Sequence, residues 1–273
     1  MPHTPGQARL PLLVGTCLVA ALSGCDVTIR DGDVSVDRLH GRATQEWTRK
    51  YPLDPGGLVE IANGNGGVEV TAGEAGAVDV TASLTARAMT DERARLMLSE
   101  GGVEEVVSAD RVKLTTRPGG RRGGRGGGGL EVNYRLRVPP DARLDITSGR
   151  GALKVSGLQG SVKAVVANGN VELIGLTGAV DAGVVNGIIV ARMTSILEPL
   201  RLESTNGRIE LEVPRESKAV LKALAVNGRI MVSGLPSEGI SDRPMRDLEI
   251  ALNGGGPVID LRVTNGRVSV IGK

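Results

Sequence analysis

The sequence predicts an all-β fold: a single-stranded β-helix or β-solenoid with about 20 residues in each coil and one short inserted helix. One observation is a recurring Asn-Gly pair that lies between two short runs of alternating apolar residues. A second is that successive pairs follow at a nearly constant step, which is the signature of a repeat architecture. A third is that the chain has no Phe, so Val, Ile, Leu and Ala must fill a narrow interior.

The repeat is clearest in the second half of the chain. Its pairs are Asn168-Gly169, Asn186-Gly187, Asn206-Gly207, Asn227-Gly228 and Asn265-Gly266, and we assign Ser148-Gly149 and Asn63-Gly64 to the same place in earlier coils. Apolar residues alternate before each pair, which is the period of a strand with one buried face. Each Asn is in phase with this inward set, so we expect the Asn side chains to point inward.

Two architectures could use this repeat. In an antiparallel meander each Asn-Gly would be a tight hairpin turn, whereas in a solenoid it is a bend within one coil. An inward amide needs a hydrogen-bond partner, and stacked coils would provide one in the equivalent Asn of the next coil. The phase of the Asn residues therefore favours the solenoid, with an amide ladder formed by Asn168, Asn186, Asn206, Asn227 and Asn265.

Residues 1–24 read as a lipoprotein signal peptide. The segment from Pro11 to Leu22 is apolar but too short to span a bilayer, and it ends in Leu22-Ser23-Gly24-Cys25, which resembles the bacterial lipobox. Cys25 would then carry the lipid and would be the only cysteine left, so no disulfide is expected. The alternative is an ordinary secretory signal with an incidental Cys. We interpret residues 25–57 as a tether with a leading strand near Trp47.

The solenoid domain is expected to span residues 58–273, with two interruptions. Thr90 can cap a helix with Asp91 and Glu92 in its first turn, and we place this helix within residues 90–107. Residues 117–129 are rich in Gly and Arg and cannot bury apolar area, which indicates an exposed loop. The alternatives are that this loop contacts an anionic surface or that it binds nucleic acid.

The end of the repeat is expected to be open. Ser237 to Asp247 reads as an insertion that bulges from one coil, and the chain closes on an alternating strand that ends near Val270. No polar capping element follows, so the last coil is expected to expose its backbone edge. Such an edge is a route to end-to-end self-association.

No pattern in the sequence predicts catalysis, a cofactor or a metal ion. His40 is the only histidine after processing, and the aromatic residues Trp47, Tyr51 and Tyr134 are too few for a sugar-stacking groove. The acidic residues are single and interleaved with basic ones. One outward column, five residues before each turn, reads Arg143, Lys163, Asp181, Arg201, Lys222 and Asp260. We interpret this column as cross-strand charge pairing, with a carbohydrate-active β-helix enzyme as the less favoured alternative.

A row of arginines is the one candidate binding site. Arg208, Arg229 and Arg267 each follow an Asn-Gly directly, and Arg150 follows Ser148-Gly149. In stacked coils these four residues would lie along one edge and could bind an anionic ligand. The alternative is that arginine is simply a soluble turn residue. The net charge of +2 is too small to indicate a partner by itself.

Residues 45–273 resemble the DUF4097 family of candidate adhesins, close to the head-GIN-domain group. The resemblance rests on the stretch from Val59 to Gly66, the acidic helical segment, the basic Gly-rich stretch before Val138-Pro139-Pro140, and the Asn-Gly repeats. It implies a β-helical or β-roll solenoid at the cell envelope, and it supplies no catalytic residues.

Together these observations predict a right-handed solenoid in an exported, non-catalytic lipoprotein. We expect it to be attached to a membrane through Cys25, on the periplasmic face of either membrane or on the cell surface. Its expected partners are an envelope polysaccharide, a protein or a second copy of itself, and not nucleic acid. The alternative is a binding module for anionic lipid or polysaccharide.

Overall fold

The computed structural model describes residues 27–30, 33–36, 40–119, 128–236 and 245–273. In chain order the elements are β1 (Val27–Arg30), β2 (Asp33–Val36), β3 (Gly41–Pro52), β4 (Leu58–Asn63), β5 (Val68–Ala72), β6 (Ala77–Ala88), α1 (Asp91–Glu100), β7 (Gly102–Ser108), β8 (Arg111–Arg117), β9 (Gly129–Val138), β10 (Arg143–Arg150), β11 (Leu153–Ser156), β12 (Val162–Asn168), β13 (Val171–Ile174), β14 (Val180–Arg192), β15 (Leu200–Val213), β16 (Ala219–Ser233), β17 (Asp247–Leu252) and β18 (Val258–Gly272). Strands β1 and β2 form an antiparallel pair. The other sixteen strands form one sheet.

This sheet bends into two arms around one apolar core. The first arm contains β7, β8, β4, β10, β12, the first halves of β14, β15, β18 and β16, and then β17. The second arm contains β3, β6, β9, β5, β11, β13 and the second halves of β14, β15, β18 and β16. Buried and exposed residues alternate along the strands of both arms, because each arm has one face on the core.

The coils of the repeat stack in parallel, with equivalent residues in register. Val162, Val180 and Leu200 are successive Cα partners in the first arm, and Leu200 is followed by Ile259. All four side chains are buried. The all-β prediction is therefore confirmed, and the parallel pairing excludes the antiparallel meander for the repeat.

The strand β18 lies inside the stack and not at its end. It pairs with β15 on one side and with β16 on the other, and β17 pairs antiparallel with the first part of β16. The expectation that the last strand exposes its backbone edge is therefore wrong. In the described chain, β17 is the outermost strand of the first arm at this end.

Charge alternation in one outward column favours this order. The outward column that crosses these strands contains, in space, Asp145, Lys163, Asp181, Arg201, Asp260 and Lys222. If β16 packed directly on β15, Lys222 would lie beside Arg201, and like charges on opposing positions are destabilising by up to about 1 kcal/mol. With Asp260 between them, the sign alternates from Asp145 to Lys222, whereas Asp145 lies beside a second carboxylate, Glu60, on β4. The structure also puts Asp145 in this column, where the sequence interpretation had Arg143.

The helix α1 lies within the predicted residues 90–107 and is ten residues long. Thr90 caps it as expected, since its Oγ1 accepts a hydrogen bond from the Arg93 backbone N–H at 3.2 Å. The helix ends at Glu100, and Gly102 follows with a φ of +143°. Residues 102–108 then form the edge strand β7.

The main sheet begins earlier than residue 58. The leading strand predicted near Trp47 is the twelve-residue strand β3, which pairs antiparallel with β6 along its whole length. The helix α1 packs on these two strands. The predicted signal peptide, the predicted lipidation site Cys25, most of the Gly- and Arg-rich stretch and most of the insertion that begins at Ser237 lie outside the described residues.

Candidate functional site

The two arms meet at a corner formed by the Asn-Gly pairs. Here the coils approach so closely that a side chain does not fit on the glycine. A Cβ on Gly207, Gly266 or Gly228 would lie 1.7 Å from the carbonyl oxygen of the neighbouring corner glycine. The glycines are thus required by contact between backbones of adjacent coils.

The amide ladder runs along this corner. The Nδ2 of Asn186 donates to the Oδ1 of Asn168 at 3.0 Å, and Asn206 donates to Asn186 at 3.0 Å. Asn265 then donates to Asn206 at 2.7 Å, and Asn227 donates to Asn265 at 2.9 Å. The five predicted residues do form a ladder, but Asn265 precedes Asn227 in space because β18 lies inside the stack.

The expectation that these amides point inward is wrong, since all five Asn residues are exposed. The alternation of the strand stops one residue before the Asn: Val184 is buried, whereas Val185 and Asn186 are both exposed. The residue before each Asn also has no partner in the parallel register, which passes from Val184 to Asn186. The chain leaves the pleat there in order to turn the corner, and this places the amide on the outside.

The earlier coils were assigned with an error of two residues. Ser148 pairs with Val166, so Arg150 and not Ser148 is the partner of Asn168. Ser148 also pairs with Asn63. Asn63 and Ser148 therefore belong to a buried column, and only Asn63 has the inward amide that was expected for the whole ladder.

Three of the four predicted arginines lie side by side. Arg208 and Arg267 are Cα partners, and so are Arg267 and Arg229. They line a shallow groove of about 720 Å³ together with Arg246, Ile188 and the corner glycines Gly207, Gly266 and Gly228. We call this the arginine groove. Arg150 is not part of it, because it occupies the Asn column on β10.

The groove concentrates positive charge at the surface. The Nε of Arg208 donates to the Oε1 of Glu210 at 2.7 Å. Among the described residues no ion pair is recorded for Arg229, Arg246 or Arg267, and all three are exposed. Each guanidinium has a planar fork of donors that matches a carboxylate or phosphate.

Arg246 could not be found from the repeat. It precedes β17, outside the repeating pattern, and its carbonyl oxygen accepts a hydrogen bond from the backbone N–H of Ala225 at 2.8 Å. This antiparallel contact with β16 brings Arg246 to the groove. No spacing rule in the sequence indicates it.

Two of the outward acidic side chains, Glu172 and Asp260, pair with cations. Glu172 is 2.8 Å from Arg192, and Asp260 is 3.0 Å from Arg262. Within the described part of the chain, no three His, Cys, Asp or Glu residues are grouped closely enough to hold a metal ion. The same residues contain no helix long and apolar enough to cross a membrane.

The aromatic residues are far from the groove in strand order, on β3 and β9. Tyr134 is buried, and burial raises the pKa of its phenol to about 12. Its hydroxyl lies 2.9 Å from the Oγ1 of Thr116, which in turn donates to the Oδ1 of Asn63 at 2.9 Å. The Nδ2 of Asn63 donates to the carbonyl oxygens of Gly66 and Val132. This closed polar network has a structural role.

Two solved structures are similar to this chain at low sequence identity. A candidate cell-adhesion protein from Clostridium sporogenes is 12% identical with a TM-score of 0.44, and the match covers 84% of this chain and 100% of that chain. A candidate adhesin from Bacteroides fragilis is 10% identical with a TM-score of 0.35, and the match covers 84% of this chain and 97% of that chain. A comparison with curated proteins gave no match.

The model of one protein family matches more than half of the chain. It is the model of Toastrack DUF4097, and it matches residues 128–270. These residues include the repeat from β10 to residue 270 in β18, the amide ladder and the arginine groove. The chain therefore belongs to the DUF4097 Toastrack family.

Proposed function

We propose that this protein is a non-catalytic scaffold of the cell envelope that binds an anionic ligand in the arginine groove. The observation that carries the proposal is the convergence of Arg208, Arg267, Arg229 and Arg246 on one groove. The scaffold is a right-handed solenoid of about 20 residues per coil. Lipid on Cys25 attaches it to a membrane, at the periplasmic face or the cell surface, where anionic polymers and headgroups are the available ligands.

The arrangement of the arginines supports this proposal. Neighbouring strands are about 4.8 Å apart, so three guanidinium groups that start from partner positions repel one another. The net charge of the chain is only +2, so this cluster is a local concentration and not a consequence of overall composition. A bound polyanion would neutralise the row, and the association would weaken with added salt.

Self-association is the less favoured use of this scaffold. At one end of the first arm the outermost described strand is β17, which carries Asp247 and Glu249. At the other end it is β7, which carries Glu104 and Glu105. Head-to-tail contact of the first arm would thus bring carboxylates together, and like charges on opposing strands are destabilising.

The binding proposal is tested with the full-length protein in mild detergent, on beads that carry polygalacturonate or polyphosphate. Replacing Arg208, Arg229, Arg246 and Arg267 by Gln should weaken retention at least about tenfold at low salt. The matched control replaces four exposed arginines near the helix, Arg42, Arg87, Arg93 and Arg95, with the same change in net charge. Equal retention of the two variants would contradict a specific groove.

The anchor needs a separate test. Cys25→Ser should release the protein from the membrane fraction, because the lipid chains would be absent. Membrane fractionation with antibody detection measures this directly. A variant that remains in the membrane fraction after a salt wash would show that Cys25 is not the attachment point.

A further inference from the structure

We infer that the ligand of the arginine groove is an acidic glycan, with acidic groups facing the arginines and hydroxyl groups facing the amide ladder. This inference rests on the proposed function, because it names the ligand class of the same groove. Its basis is that two rows of different donors run side by side. The arginine row is cationic, and the Asn row is neutral.

The two rows are fixed by consecutive residues. Asn206, Gly207 and Arg208 are partners of Asn265, Gly266 and Arg267 on β18, which are partners of Asn227, Gly228 and Arg229 on β16. The glycines form part of the groove wall, and the Asn residues precede them. The ladder therefore runs beside the groove for the same three strands as the arginine row.

The ladder leaves donors available. An amide group has two N–H donors, and Asn206 and Asn265 each use one of them to bond the next Asn. No second hydrogen bond from either Nδ2 occurs within the part of the chain that the structure describes. Both amides are exposed, so the second N–H can donate to a neutral oxygen of a ligand.

These donors favour a ligand that has acceptors of two kinds. A polymer of acidic sugars offers carboxylate or phosphate on one side of the chain and hydroxyl or ring oxygens on the other. A simple polyanion would use the arginine row and leave the amides in water. Single-stranded nucleic acid is bound through stacking on aromatic side chains, and the chain's three aromatic residues are on β3 and β9, far from the groove.

The row also sets the length of the ligand. It spans β15, β18 and β16, so the first and third arginine Cα atoms are about 10 Å apart. On the β14 side the row ends at Ile188, which is the partner of Arg208. The site therefore accommodates a segment of two or three sugar units that lies along the stacking direction of the coils.

The test compares ligands that differ in hydroxyl groups. The probes are a galacturonate tetramer, a short polyacrylate with the same number of carboxylates, and polyphosphate of similar charge, each titrated into the full-length protein by calorimetry. We expect the tetramer to bind at least about fivefold more tightly than the polyacrylate. This comparison uses the unaltered protein and needs no variant to fold.

A pair of ladder variants locates the effect. Asn265→Ala should weaken binding of the tetramer by about fivefold and leave polyacrylate binding unchanged. Asn168→Ala is the matched control: it removes a member of the same ladder, but the row beside it contains Asn170 and Ile188 in place of arginine. Asn168→Ala should change the affinity for neither the tetramer nor polyacrylate. Thermal melting of both variants confirms that they are folded.

The outcomes separate this inference from the proposed function. Tight, arginine-dependent binding of all three probes with equal affinity would overturn the glycan inference and leave anionic binding in place. Stronger binding of polyphosphate than of the tetramer would also overturn it. Failure of every probe to bind in an arginine-dependent way would overturn both.

Discussion

The corner between the two arms is stabilised by exposed hydrogen bonds at one end of the solenoid and by buried hydrogen bonds at the other. In the coils formed by β14, β15, β18 and β16, each strand runs through the corner without a break, and the exposed amide ladder joins adjacent coils on the outside. In the first coil, the strands β4 and β5 of the two arms are separate elements. There the corner is held from the inside, by the buried contacts of Asn63 with Gly66, Val132 and Thr116.

This difference shows that an Asn-Gly pair in this chain does not by itself determine whether the Asn is buried or exposed. Asn63 and Asn206 look alike in sequence, but a two-residue difference in register places one in the core and the other at the surface. Where the Asn amides lie on the outside, the corner is accessible to ligands. The arginine groove lies only beside such coils.

The largest expected effect comes from Gly266→Ala, in the continuous coils. The new Cβ would lie 1.7 Å from the carbonyl oxygen of Gly207, at a φ of +147°. We expect a loss of at least about 3 kcal/mol in the free energy of unfolding by urea. Gly183→Ala is the control, since no atom lies within 4 Å of its Cβ position. Similar stabilities for the two variants would contradict the close approach of the coils.

The buried network around Asn63 should contribute more to the free energy of unfolding than the exposed amide ladder does. Asn63→Ala removes three hydrogen bonds and leaves the Gly66 and Val132 carbonyls with fewer partners in a buried site. We expect a loss of about 2–3 kcal/mol in the free energy of unfolding. Tyr134→Phe, which removes only the hydroxyl at the edge of this network, should cost less. A larger loss for Tyr134→Phe than for Asn63→Ala would contradict the central role of Asn63 in this network.

The exposed ladder should contribute less to the free energy of unfolding than the buried network does. The contribution of each Asn should depend on how many ladder hydrogen bonds it makes. Asn265→Ala removes two amide hydrogen bonds, whereas Asn227→Ala removes one among the described residues. Because the ladder is in contact with water, we expect losses of about 1 and about 0.5 kcal/mol. Parallel urea titrations of the two variants measure the difference. Equal losses would show that the amides do not act as a ladder.

The smallest effect concerns pH and the early coils. A hydrogen bond from Arg111, 2.6 Å from Glu60, holds the pKa of the Glu60 carboxyl below its ordinary value of 4.5. A carboxyl with a lowered pKa stabilises the fold above its unfolded pKa, and this contribution is lost as the pH falls through the folded value. Glu60→Gln should therefore flatten the fall in melting temperature below pH 4.5. Glu46→Gln, at an exposed position on β3, should retain the full slope.

The all-β class, the stacking of parallel coils and three of the four groove arginines could be predicted from the sequence. Alternation and the constant step predict the strands, the stack and the neighbouring positions of Arg208, Arg229 and Arg267. The register of the early coils failed because both Asn63 and Asn65 precede a glycine, and the local pattern does not say which glycine meets a neighbouring backbone. Arg246 was missed because long-range antiparallel pairing positions it, and no repeat encodes that pairing.

The internal position of β18 has a kinetic consequence. The edge of β15 matches β16 and β18 residue for residue, and β16 is earlier in the chain. As the chain collapses, β16 is the first strand available to β15, but docking there would put Lys222 beside Arg201 and exclude β18. Productive folding must therefore keep β16 undocked, or release it, until residues 258–272 arrive. Such a non-local step is slow to form, so completion of the stack should be the rate-limiting event in refolding.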